Sequence, residues 1–377
     1  MKNSYKLILG LAVFSVFAGL VWRLKAPVPL QTAPAQPKIT PSSTPAATAR
    51  GKPSQPAPAA AMPSHPDVSL GGNAAPQRKF DEMPASERRA ILGEIRKQDF
   101  DSIIRAWLKA GRVENDPAKQ GSITTVWGFE MGQRTVPPEV YEKMRAIMAD
   151  STYSIHERGN MIGVLASAAT PEAASLLIYE ATTQTDEEMK RMATFALRGL
   201  GDTFNEANAA LLEPLWKESN DPVMMQSVAR SIGKIGKASS VELLFSEALS
   251  AGGPDDVRGE AAWDGLREVH RENAIPPLVA ALEKNPVGSP ANKLALDTLG
   301  QIVGKKAPQA VMKWLQASDS SAAPLATAWV TNATLNGPLE AAQAALNPSV
   351  PFRSEANREA IRKGLDAYHA GNRTFVP

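Results

Sequence analysis

Between Asn220 and Leu249, apolar side chains recur at steps of three and four, the spacing of one buried helical face. Met225, Val228, Ala229, Ile232 and Ile235 mark a first helix, and Val241, Leu244, Phe245, Ala248 and Leu249 mark a second. Asn220 or Asp221 can cap the first helix, Pro222 fits its first turn, and Gly236 suits the left-handed residue that ends it. Ser239 and Glu242 have the spacing of a capping box for the second helix. One such hairpin cannot bury both stripes alone, so copies are expected on either side.

The copies are present. The position near the end of the first helix is Leu165, Leu200, Ile235, Val269, Ile302 and Leu335, at steps of 35, 35, 34, 33 and 33 residues. One turn earlier, Leu197, Ile232, Leu266 and Leu299 keep the same register, and no alternation of β type competes. Second helices follow at Ala173–Ala181, Ala209–Lys217, Val241–Leu249, Ile275–Leu282 and Pro308–Leu315. Upstream, Met83–Glu87 opens a helix to about Gln98, and Asp99 caps another through Ile103, Ile104, Trp107 and Leu108 that Gly111 ends. Asp116–Arg134 is expected to be helical despite its glycines, and Pro137 and Pro138 start a helix through Tyr141, Met144, Ile147 and Met148. The expected fold is all-α, an α-α superhelix of five or six helical hairpins. Residues 153–350 form the repeats, after a helical cap at 80–152 and before a capping helix and tail at 351–377.

Three segments carry a family resemblance: Asp221-Pro222-Val223 leading to Ile232-Gly233-Lys234-Ile235-Gly236, Met189–Gly201 with its Leu200-Gly201 ending, and Ala274-Ile275-Pro276-Pro277-Leu278. They resemble the HEAT-repeat family, in particular its bacterial HEAT-like, armadillo-type branch, over about residues 153–350. The pattern departs where Asp202–Asn208 lengthens a turn and in the degenerate last repeat. The resemblance implies a solenoid and is silent on activity.

The N-terminal part reads differently. Lys2 and Lys6 precede an uncharged apolar run, Leu7–Trp22, followed by Arg23 and Lys25. As a helix the run would span about 24 Å, close to a bilayer core of about 30 Å. Residues 1–25 are therefore expected to be an uncleaved signal anchor crossing the membrane through 7–22, a cleaved signal peptide being the alternative. In residues 26–76, twelve of 51 residues are proline and twelve alanine, which sets 26–79 as a disordered tether. The short tail before the run places the C-terminal domain outside the cytoplasm, in the periplasm on the inner membrane.

Charge sharpens the division. The net charge of +2 combines seven basic residues and one acid in 1–76 with thirty-four basic and thirty-eight acidic residues in the remainder. A mildly acidic folded part does not suit nucleic acid, whose binding rests on phosphate neutralisation. The absence of cysteine excludes disulfides, thiolate metal sites and cysteine nucleophiles.

Candidate chemistry is sparse. Among HEAT proteins, the di-iron deoxyhypusine hydroxylase type needs several His-Glu pairs converging on one site, and this chain has one, His156-Glu157; His65, His270 and His369 lie far from it in sequence. Gly300–Lys306 lacks the spacing and the final Ser or Thr of a phosphate loop, and nucleophile-elbow and zinc-protease motifs are absent. The expectation is a chain that is not an enzyme and uses no cofactor or metal. Trp263 and Trp329 are expected in the core. Trp216 and Trp314, late in second helices beside Lys217 and Lys313, are the candidate partner-binding residues, with ordinary packing between repeats as the competing reading. Arg191, Arg198, Arg230, Lys234 and Lys237, on neighbouring first helices, form either a basic row or a solvated outer face. These features are those of a membrane-anchored extracytoplasmic scaffold or adaptor for a protein or peptide of the cell envelope. The alternative is a module that binds an envelope polymer such as peptidoglycan.

Overall fold

Helix starts in this chain are written in short polar residues. The side chains of Asp99, Asp116, Ser154, Thr170, Asp186, Asn205, Asp221, Asp256 and Ser289 each accept a backbone N–H in the first turn of the helix that follows. Each such cap contributes about 1 kcal/mol. The computed structural model describes residues 79–250 and 256–371. The expected membrane segment at 7–22 and almost all of the tether lie outside the described residues, and among the described residues no helix is long and apolar enough to cross a membrane.

The described residues form seventeen α-helices and no strand. The first four are α1 (Ala85–Arg96), α2 (Phe100–Leu108), α3 (Pro117–Met131) and α4 (Pro138–Ala149). Six hairpins follow. They are α5 (Ile155–Ala168) with α6 (Pro171–Thr183), α7 (Glu187–Ala196) with α8 (Glu206–Glu218), and α9 (Pro222–Ile235) with α10 (Ala238–Ser250). Then come α11 (Val257–Leu266) with α12 (Ile275–Lys284), α13 (Pro290–Leu299) with α14 (Lys306–Ala317), and α15 (Ala323–Thr331) with α16 (Asn336–Ala345). Helix α17 (Glu355–His369) closes the series.

Besides the contacts between successive helices, many helices also pack on the next but one. In the odd layer α1 lies on α3, α3 on α5, α5 on α7, α7 on α9, α9 on α11, α13 on α15 and α15 on α17. In the even layer α6 lies on α8, α10 on α12, α12 on α14 and α14 on α16. The result is a two-layer α-α superhelix. Its core runs from Ile95 to Leu365 without a break, so α1–α4 share it, and α3 meets α5 where Gly128 faces Val164 and Ser167. Leu165, Leu200, Ile235, Val269 and Ile302 are all buried, as their period predicts. Leu335 is half-buried at the start of α16, where the last repeat loses register.

Four local expectations are corrected. Trp263 is 37% exposed, because Ala262 and Leu266 take the inward positions of α11 and Trp263 lies about 100° further round the helix. Trp329 is half-buried, its Nε1 donating to Leu296 O at 3.2 Å. Helix α10 begins at Ala238, which puts Ser239 inside its first turn, and the capping box forms instead between Ser154 and Glu157 at the start of α5. Gly111 does not end α2: the chain passes through it in a π-helical turn, Lys109–Val113, and reverses at Asn115, whose φ is 48°.

Candidate interaction surface

The four residues singled out from the sequence are not brought together. Trp216 is fully buried on the stripe of α8 that carries Ala209 and Leu212, with the Arg258 guanidinium 5.2 Å from its ring centre. Trp314 is buried beside Val311 and Leu315 on α14. Both rings are packing between repeats and not surface anchors, because each shares a helical stripe with aliphatic core residues. Lys217 and Lys313, one residue away on each helix, are exposed.

The basic residues of the first helices separate into two groups. Lys234 pairs with Asp202 at 2.9 Å and Lys237 approaches Glu213 at 4.0 Å, so their charges tie adjacent repeats together. The arginines behave differently. One carboxylate, Asp264 on α11, accepts from Gln226 Nε2 at 2.6 Å, Arg230 Nη2 at 3.0 Å and Arg267 Nη1 at 3.3 Å. Arg198, in the 3-10 turn Leu197–Gly201 that follows α7, is half-buried and hydrogen-bonds to neutral groups, Gln226 Oε1 at 2.9 Å and Ser227 Oγ at 3.3 Å. Its guanidinium lies 4.9 Å from the centre of the Phe195 ring.

The electrostatics follow from this crowding. Burial and the neighbouring charge of Arg230 pull Arg198 below the usual arginine value, against the opposing pull of Asp264 and Glu268. Burial pushes the Asp264 carboxyl up, but the bonds from Arg230 and Gln226 and the charges of Arg230 and Arg267 outweigh it and hold the group below the ordinary aspartate value. Exposed Trp263 sits one turn before Arg267 on α11. Asp264 and Gln226 were missed by sequence reasoning. The available signal was periodic, since Asp264 follows Arg230 by 34 residues, one repeat length, and so must lie on the adjacent helix.

A second feature is an open cleft of about 380 Å³ between the π-helical turn and the start of α5. The Arg112 guanidinium stacks 3.8 Å from the Tyr153 ring centre and donates to Glu157 Oε1 and Thr152 O, both at 3.3 Å. Burial raises the Glu157 carboxyl, but bonds from Ser154 and Arg112 more than offset it. His156 is exposed at the helix start, the plain reading of its position, and Gln120 is buried in the cleft wall. Among the described residues, no group of three or more His, Asp or Glu is placed to hold a metal ion.

No family model and no curated protein matches the sequence. Solved structures do match, among them human deoxyhypusine hydroxylase in complex with glycerol, at 15% identity over 77% of this chain and 92% of that one, with a TM-score of 0.25. That protein is an enzyme, so the exclusion of an enzyme made from the sequence is withdrawn, with no activity assigned to this chain in its place. A solenoid can assemble a reactive set from side chains on different repeats without leaving a linear motif, so missing motifs did not license that exclusion. A likeness this distant carries neither residues nor a reaction to this chain.

Proposed function

We propose that the chain is a HEAT-like solenoid that works as a membrane-anchored, extracytoplasmic scaffold for a protein or peptide of the cell envelope. The family assignment rests on the three motif segments and their 33–35-residue period, and the anchor on the apolar run at 7–22. The observation that carries the binding role is the odd-layer face formed by the 3-10 turn after α7, by α9 and by α11. It presents a half-buried guanidinium hydrogen-bonded only to neutral groups and, on α11, an exposed tryptophan. Arginine and tryptophan are the side chains that most often concentrate binding energy in protein interfaces. The envelope-polymer reading has lost its residues, since Trp216 and Trp314 are buried.

Cross-linking of the full chain in its own cells, with identification of what is captured, tests the reading. One or two envelope proteins are expected, and Trp263→Ala should reduce their capture without changing the melting temperature. Capture of no protein by folded, correctly placed chain would overturn it. Membranes washed with carbonate should retain the chain, and its release into the soluble fraction would remove the anchor from the proposal.

A further inference from the structure

The arginine face is over-supplied with cations. Arg198, Arg230 and Arg267 meet two carboxylates, Asp264 and Glu268, and Asp264 is already engaged by Arg230, Arg267 and Gln226. Arg191, on α7, is exposed and makes no ion pair among the described residues. The neighbouring lysines add no excess, because Lys234 and Lys237 have carboxylates of their own. The surplus is therefore local and made of guanidinium.

We propose that this face docks an acidic segment of the partner protein, with a carboxylate from that segment pairing with Arg198. Guanidinium is planar and presents a fixed fork of donors that a carboxylate matches in a bidentate pair. Arg198 is held in place by Gln226 and Ser227 and lies against Phe195, so little side-chain freedom remains to be lost on pairing. Arg267, with 68% of its side chain exposed, supplies a second contact at the rim, and Trp263 supplies apolar area beside it. Nucleic acid fits less well, since the remainder of the chain after residue 76 has more acids than bases and would repel a long polyanion.

The inference rests on the scaffold reading and can fail separately from it. The test is titration of the full-length protein in detergent with a fluorescein-labelled polyglutamate peptide, followed by anisotropy at low and physiological salt. Saturable binding that weakens with salt is expected, with a loss of about tenfold in Arg198→Gln and similarly in Arg267→Glu. Lys217→Gln, on the other layer, should bind as the parent does. Arg267 is exposed, so its variant keeps the test valid if Arg198→Gln lowers the melting temperature. No binding of polyglutamate, or parental affinity in both arginine variants, would overturn the proposal. So would binding of polyuridylate that polyglutamate cannot displace. If envelope proteins are still captured in undiminished yield by Arg198→Gln, the scaffold stands and the acidic-segment docking falls. If polyglutamate binds as described while nothing is captured in cells, the reverse holds.

Discussion

Gly233 of α9 lies directly against the backbone of Gly265 on α11, so close that a Cβ on Gly233 would be 2.8 Å from the Gly265 carbonyl carbon. The contact is reciprocal in kind, since a Cβ on Gly265 would be 2.6 Å from Ala229 O. Neither obstacle is a flexible side-chain tip; both are backbone, which moves only if the helices separate.

Gly233→Ala is therefore expected to destabilise the fold by about 1–3 kcal/mol or more, the range for forcing atoms into a packed interior. Gly163→Ala is the matched control. Gly163 lies within α5, and a Cβ there meets nothing within 4 Å. That variant should gain up to about 1 kcal/mol, because alanine loses less backbone freedom in a helix. Urea melts of the two variants should move in opposite directions, and a shift in the same direction would show that α9 and α11 are not in backbone contact.

Asp264→Asn tests the arginine face by its pH dependence. The native carboxyl is held below its ordinary value, so its contribution is fully present above the unfolded-state aspartate value, near 3.8, and is lost as pH falls through the folded value. At neutral pH the variant should be less stable by about 1–3 kcal/mol, since Arg230 and Arg267 lose their charged acceptor. The deficit should shrink on acidification. A deficit that is the same at pH 7 and below the aspartate range would assign the loss to packing.

Glu180 makes the opposite prediction. It is 5% exposed on α6 and accepts from Gln184 Nε2 at 3.0 Å; burial raises its carboxyl, against the weaker pull of Gln184 and Arg145. A raised acid favours the fold while protonated and loses that contribution as pH rises through the folded value. Glu180→Gln keeps an oxygen acceptor for Gln184 without a buried charge, so the melting temperature should rise at neutral pH and the gain should vanish in acid. A lower melting temperature at pH 7 would mean that the carboxylate is paired as an anion.

The features legible in the sequence are those set within one helix. Leu165, Leu200, Ile235, Val269 and Ile302 fall in the core because burial follows the 3.6-residue period, and Asp99, Asp221 and Gly236 act at the helix ends where their spacing puts them. The losses came one residue at a time. Trp263 stands next to buried Ala262, and a single step turns a side chain by about 100°. Trp216 and Trp314 fell on the buried side of the same ambiguity. The Arg198–Gln226–Asp264 network was out of reach because it depends on how the turn after α7 and the helices α9 and α11 are set side by side, which no single stripe encodes.

The register itself is open to direct attack at Ile232. Its side chain is fully buried on α9, and the carbonyl of Ile232 accepts the N–H of Gly236, the left-handed residue that ends the helix with φ 66°. Ile232→Asp places an ionised carboxylate on a buried stripe whose neighbours along α9, Val228 and Ile235, offer only apolar surface. Burial of an unpaired charge costs several kcal/mol, comparable with the whole stability of an ordinary domain. Because each repeat is held by its neighbours, the loss should spread from α9 into α7 and α11 and lower the helical signal in a distinct early transition. Hydrogen exchange should then show opening of residues 187–266 before α1–α4. Retention of the parental melting curve would mean that Ile232 does not face the interior and that the repeat register is displaced.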